Sequence, residues 1–207
     1  MLRCSIIVVS VWLWIYVQVC TGQTAAPKSA ETNLDVQVAD ILHRSRVPGG
    51  IEIIRGCETV SDKGSFAVLP EPSQALARLS EFHPHLAWKK IDDAYTVTIR
   101  LTQSPSIASI TVPKLELKIV TLSAAVDALL REPSVAKKIT EMNFRESLIR
   151  LGPSSVNEHE PRKLQLPEAS LGDDLNRIAT VFGAAVWELD QWECQSKRLY
   201  GITWISR

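Results

Sequence analysis

His83-Pro84-His85, Cys57 and Cys194 are the residues of this 207-residue chain whose types could do chemistry. An extended His-Pro-His segment can turn two imidazoles to one side. Two nitrogens do not close a zinc site, which takes three or four ligands. Neither Cys-x-x-Cys nor His-Glu-x-x-His accompanies them. The segment is expected as a turn between a helix and a strand, with its imidazoles in water. Glu158-His159-Glu160 lies in a Pro-bounded loop and reads as a solvated run. A cysteine nucleophile needs a base such as His43 or His83 nearby, and no sequence signature places one there. Gly49-Gly50 leads into a strand, so it offers no helix amino terminus to an anion. No catalytic residue, metal ligand, cofactor-binding residue or cofactor is assigned.

Two cysteines left in an oxidising compartment permit one disulfide, Cys57 to Cys194. The alternative is two unpaired thiols, since Cα atoms more than about 7 Å apart cannot be bridged. Which compartment applies depends on the start of the chain. Arg3 is followed by an apolar run from Ser5 to Val19, and Cys20-Thr21-Gly22 supplies small residues. That run is shorter than the ~20 residues a spanning helix needs. It reads as a secretory signal, residues 1–22, cleaved after Gly22. The alternatives are an uncleaved anchor through residues 5–19 and a lipoprotein acylated at Cys20. The expected location is periplasmic or secreted, with no transmembrane segment in the mature chain.

Charge is balanced, with 23 Lys and Arg against 23 Asp and Glu. A nucleic-acid binder needs a basic footprint to neutralise phosphates, so no nucleic-acid partner is expected. A hydrophobic fraction of 45% suits a folded chain.

The elements follow from apolar spacing. Residues 23–32 are small and polar and read as a flexible leader. Leu34, Val38, Ile41 and Leu42 recur at helical spacing, with Thr32 or Asn33 as cap, until Pro48-Gly49-Gly50. Ile51 to Ile54 reads as a strand, and so does Phe66 to Leu69. Ala75, Leu76, Leu79 and Phe82 make a second apolar helix face. Leu86-x-Trp88 and Tyr95-x-Val97-x-Ile99 are strands joined by a turn at Asp92-Asp93. Residues 102–113, with Ser104-Pro105-Ser106, read as a linker. Beyond it come a strand at Leu115 to Ile119 and a helix over Leu122, Val126, Leu129 and Leu130. A further helix is expected through Val135, Ile139, Met142 and Ile149, stopped at Gly152-Pro153. Leu164-x-Leu166 reads as a strand, and Leu171, Leu175, Ile178 and Phe182 as the next helix. Two closing strands follow, joined by a polar loop between Glu188 and Leu199 that carries Trp192 and Cys194.

The chain repeats itself. Leu69-Pro70-Glu71 recurs 97 residues later as Leu166-Pro167-Glu168. Leu76, Leu79, Phe82 and Trp88 match Leu175, Ile178, Val181 and Trp187 at a separation of 99. A duplicated unit is expected. The fold class is α+β: two tandem small modules, 33–101 and 114–207, each with two helices on short mixed sheets. The second copy carries an inserted helix and a longer hairpin.

Val38-Ala39-Asp40-Ile41-Leu42 with Pro48-Gly49-Gly50-Ile51-Glu52-Ile53 resembles the secretin and TonB short N-terminal (STN) domain. So does Gln74 to Leu79 followed by Leu86 to Lys90 and Tyr95 to Ile99. The likeness covers about residues 33–100 and, more loosely, 115–205. It implies an exported, non-enzymatic protein-interaction module of the bacterial cell envelope, with envelope proteins as partners. There is no barrel and no secretin pore segment to match, and the family supplies no catalytic residues. Trp192, set among polar residues, either covers the module junction or anchors a partner. Tyr200, Ile202 and Trp204 on the closing strand are the other expected partner-binding residues, by strand addition. The competing functions are a His- or Cys-dependent hydrolase and a small-ligand or glycan site between the modules.

Overall fold

Leu34, Val38, Ala39 and Leu42 are buried along one side of helix α1 (Leu34–Arg44), as their spacing requires. Arg46, at φ 55°, turns the chain into strand β1 (Gly49–Arg55). The computed structural model describes residues 33–57, 71–147, 160–183 and 186–205, all within the unit that spans 32–207. The signal, the leader, the strand expected at 66–69 and residues 149–159 lie outside the described residues. After β1 come α2 (Pro72–Phe82), β2 (Leu86–Ile91), β3 (Ala94–Arg100), β4 (Thr111–Val112) and β5 (Leu115–Val120). Then follow α3 (Leu122–Leu130), α4 (Pro133–Glu141), β6 (Phe144–Glu146), β7 (Arg162–Leu166) and β8 (Ala169–Ser170). The chain closes with α5 (Leu171–Val181), β9 (Val186–Cys194) and β10 (Lys197–Ile205). The fold is α+β.

Six strands form one mixed sheet in the order β2-β3-β1-β9-β10-β6. β1 is parallel to both β3 and β9, and β6 is parallel to β10. The hairpins β2–β3 and β9–β10 are antiparallel. Two small pairs, β4–β8 and β5–β7, stand apart from it.

The duplication is visible in this topology. The series α1-β1-α2-β2-β3 and α4-β6-α5-β9-β10 have the same connections. In each, the first strand lies parallel to the last strand of the hairpin. The parallel β1–β9 pairing joins the halves edge to edge. A half-turn about an in-plane axis that crosses the strands, combined with a shift of three strands along that axis, carries one half onto the other. That operation reverses strand direction and exchanges faces. Accordingly α1 and α2 bury Val38, Leu42, Leu76 and Leu79 on one face, against Ile51, Tyr95 and Val97. On the other face, α4 and α5 bury Val135, Ile139, Leu175 and Ile178 in a core shared with Trp187 and Leu189. Helix α3, ahead of the second series, supplies the additional apolar wall of that core.

The seam between the halves is closely fitted. A Cβ on Gly50 would stand 1.7 Å from the Trp187 ring, so glycine lets the indole lie flat on β1. Asn176 accepts from the Trp187 indole N–H and donates to Thr96 Oγ1, each at 2.8 Å. It therefore ties α5 to a strand of the other half.

Residues 102–113 are packed into the interior rather than spanning solvent between modules. Ile107, Ala108, Ile110 and Val112 are all buried. The clamp is Glu52, only 3% exposed in the central strand β1. Its carboxylate accepts from Ser106 Oγ, from the Ala108 N–H at 3.3 Å and from Gln191 Nε2 at 3.1 Å. Gln191 Oε1 in turn accepts from the Ile107 N–H at 2.6 Å. A buried carboxylate needs such donors.

Two expected boundaries move. The helix through Val135 and Ile139 stops at Glu141, because Asn143 takes φ 60° and turns the chain into β6. The polar loop expected between Glu188 and Leu199 is strand almost throughout. Only Gln195-Ser196, both at positive φ, make the turn.

Candidate protein-docking face

Alternation along β9 and β10 sends side chains to two unlike sides. Trp187, Leu189 and Gln191 with Tyr200, Ile202 and Trp204 turn inward and are buried. Glu188, Asp190 and Trp192 with Leu199, Gly201, Thr203 and Ile205 face the other way, and every one is part-exposed. The register sets Trp192 opposite Leu199 and beside Arg55 of β1, and Glu188 opposite Thr203.

Three expected contact residues are thus corrected. Tyr200, Ile202 and Trp204 are 6%, 9% and 8% exposed and pack in the core. Their alternation marked an apolar face, and that face is the interior one. Trp192 is the candidate that remains on the outer side. What the sequence reading missed lies next to it. Glu-x-Asp-x-Trp at 188–192 is one continuous strand face, and it would have been legible had the polar Gln191 been recognised as buried.

Carboxylates dominate the electrostatics here. Burial first, then repulsion from Asp35 of α1 and Asp190, pushes Glu188 up to about 7, against a smaller opposing pull from Arg55. Burial likewise raises Asp190, although the Arg55 guanidinium holds it in an ion pair. Arg55 is engaged by Asp190, and among the described residues no ion pair is made by Glu188.

At the end of this face Cys57 and Cys194 form a disulfide with Cα atoms 4.7 Å apart. The bond fastens the carboxyl-terminal ends of β1 and β9. While it stands, neither sulfur is a nucleophile. β6 pairs only with Arg198 to Tyr200 of β10. Among the described residues, no strand pairs with the outer edge of β10 from Gly201 to Ile205.

The histidine pair is placed as a turn after α2, with ring centroids 5.7 Å apart. His83 is buried rather than solvated, at 8% exposure. Among the described residues, no group of three or more His, Cys, Asp or Glu is arranged to hold a metal ion. No described helix is long and apolar enough to cross a membrane. No protein-family model matches the chain, and no curated protein or solved structure matches it significantly.

Proposed function

We propose that this chain is an exported, non-enzymatic protein-interaction module of the bacterial cell envelope. It takes up an envelope protein on the outer side of β9–β10. The observation that carries this reading is the part-exposed sheet side from Glu188 to Trp192, which runs out to Gly201 to Ile205 of β10, where none of the described strands pairs. An added strand would satisfy the edge amides and carbonyls of β10 and extend the sheet. Trp192 and Leu199 would give its side chains an apolar seat, since a part-exposed indole provides large contact area at little entropic cost. The resemblance to the STN domain and the secretory reading of residues 1–22 support the envelope setting.

Capture of a partner from envelope extract by the immobilised mature chain tests the reading. Trp192→Ala is expected to abolish capture of that partner while the thermal transition stays within a few degrees of wild type. Equal capture by a folded Trp192→Ala variant would remove Trp192 as the anchor.

A further inference from the structure

A second concave site lies away from the docking face, between the β2–β3 turn, β7 and α5. It is a cleft of about 310 Å³, within the size range of small-molecule sites. We propose that it binds a short zwitterionic peptide with an apolar side chain.

The walls carry opposite charges that do not meet. Asp92 and Asp93 stand on the hairpin turn, and Lys163 of β7 and Arg177 of α5 also line the cleft. Among the described residues no ion pair joins either aspartate to Lys163 or Arg177. Arg177 spends one donor on Asp174, at 2.8 Å, and retains others of its five. Asp173, which also lines the cleft, is held by Lys89 at 3.0 Å and lies in the field of Arg177. The rim is apolar: Ile91 and Val181 are 38% and 39% exposed, and both line the cleft. Buried Leu164 also contributes to the lining.

These features select a ligand with two unlike ends. An ammonium group suits Asp92 and Asp93, a carboxylate suits Lys163 and Arg177, and an aliphatic side chain covers Ile91 and Val181. A phosphate-rich ligand would meet the aspartates as like charges, and a neutral sugar would leave both charged walls unpaired. The site is also firmly built. Asn176, which lines it, is fixed between Trp187 and Thr96, and a fixed site loses less entropy on binding.

The test is titration calorimetry of the mature chain with Ala-Leu-Ala bearing free termini, and with its N-acetylated and C-amidated forms. Saturable binding of the free peptide is expected, with each cap weakening it by about tenfold or more, as loss of one charged contact requires. Lys163→Glu and Asp93→Lys, both at exposed positions, are expected to weaken the free peptide by a similar factor. Lys163→Glu should bind the C-amidated form, a net cation, no more weakly than wild type does, because the carboxylate contact is already absent. Three results overturn the proposal: no heat up to about 10 mM peptide, well above the range of specific sites; equal affinity for free and doubly capped peptide; or wild-type affinity in both charge-reversed variants. Trp192→Ala should not change this binding, so failure here leaves the docking reading standing.

Discussion

The two halves share one set of connections and differ in what lies over their hairpins. In the first half, α1 and α2 seal the side that carries Tyr95, Val97 and Ile99. In the second half, α4 and α5 seal the side that carries Tyr200 and Ile202, with α3 and residues 107–112 added to it. The reverse side of β9–β10 keeps Glu188, Asp190 and Trp192 part-exposed. The outer strands differ as well. β2, the outermost of the described strands on its side, presents Lys89 and Lys90, a charge pattern that discourages strand pairing. The stretch of β10 that no described strand pairs, Gly201-Ile202-Thr203-Trp204-Ile205, has no charged residue. A repeated unit therefore supplies the scaffold, and its two copies are unequally covered.

The largest effect is expected at the seam that makes the halves one sheet. Gly50→Ala drives a methyl into the Trp187 ring from a central strand, so one of them must move. Denaturant unfolding should show a loss of about 3–5 kcal/mol, at the upper end for a point change. Next comes the covalent tie across the same seam. Cys57→Ala with Cys194→Ala opens a link between residues 137 apart; the chain-entropy model values a loop of that length at about 5 kcal/mol, and a loss of about 2–4 kcal/mol is typical. The same denaturation experiment reads it, and dithiothreitol should reproduce it in the wild type.

A smaller effect separates the outer face from the core. Glu188 titrates at about 7 in the fold against an ordinary 4.5, so folding favours its protonated form. That contribution is complete below about pH 4.5 and is lost as pH rises through about 7. Asp35 of α1, Asp190 beside it and Arg55 of β1 are the charges that face it. Glu188→Gln should match wild type near pH 4 and exceed it near pH 8, by on the order of 2 kcal/mol after allowance for partial exposure. Melting curves across that range check it. Smallest of all, Trp192→Ala should cost under about 1 kcal/mol of folding stability, because the ring is only part-buried.

Much of the scaffold was legible because apolar spacing reports burial directly. Leu34, Val38 and Leu42 gave α1, and the matched positions of α2 and α5 gave the duplication. What stayed hidden was polar and buried. Glu52, Gln191 and Asn176 look like surface residues in a string of letters, yet they hold 106–108 and the Trp187 seam through hydrogen bonds that only the fold assembles. For the same reason Gln191 made β9 read as a loop and 102–113 as a linker. The candidate site was half legible. Trp192 stood out as an aromatic among polar residues. Tyr200, Ile202 and Trp204 were assigned to the surface because alternation shows that a strand has two faces and not which one is inside. Asp35 and Arg55 come to Glu188 from a helix and a neighbouring strand, a meeting no local pattern encodes.

A partner that docks as proposed meets the β9–β10 side and not the β2 edge. A photo-crosslinking amino acid placed at position 192, and separately at position 90, tests this in cells that produce the chain. Docking as proposed gives a discrete adduct from position 192 and none from position 90. Adducts from position 90 alone, or equal adducts from both, would contradict it.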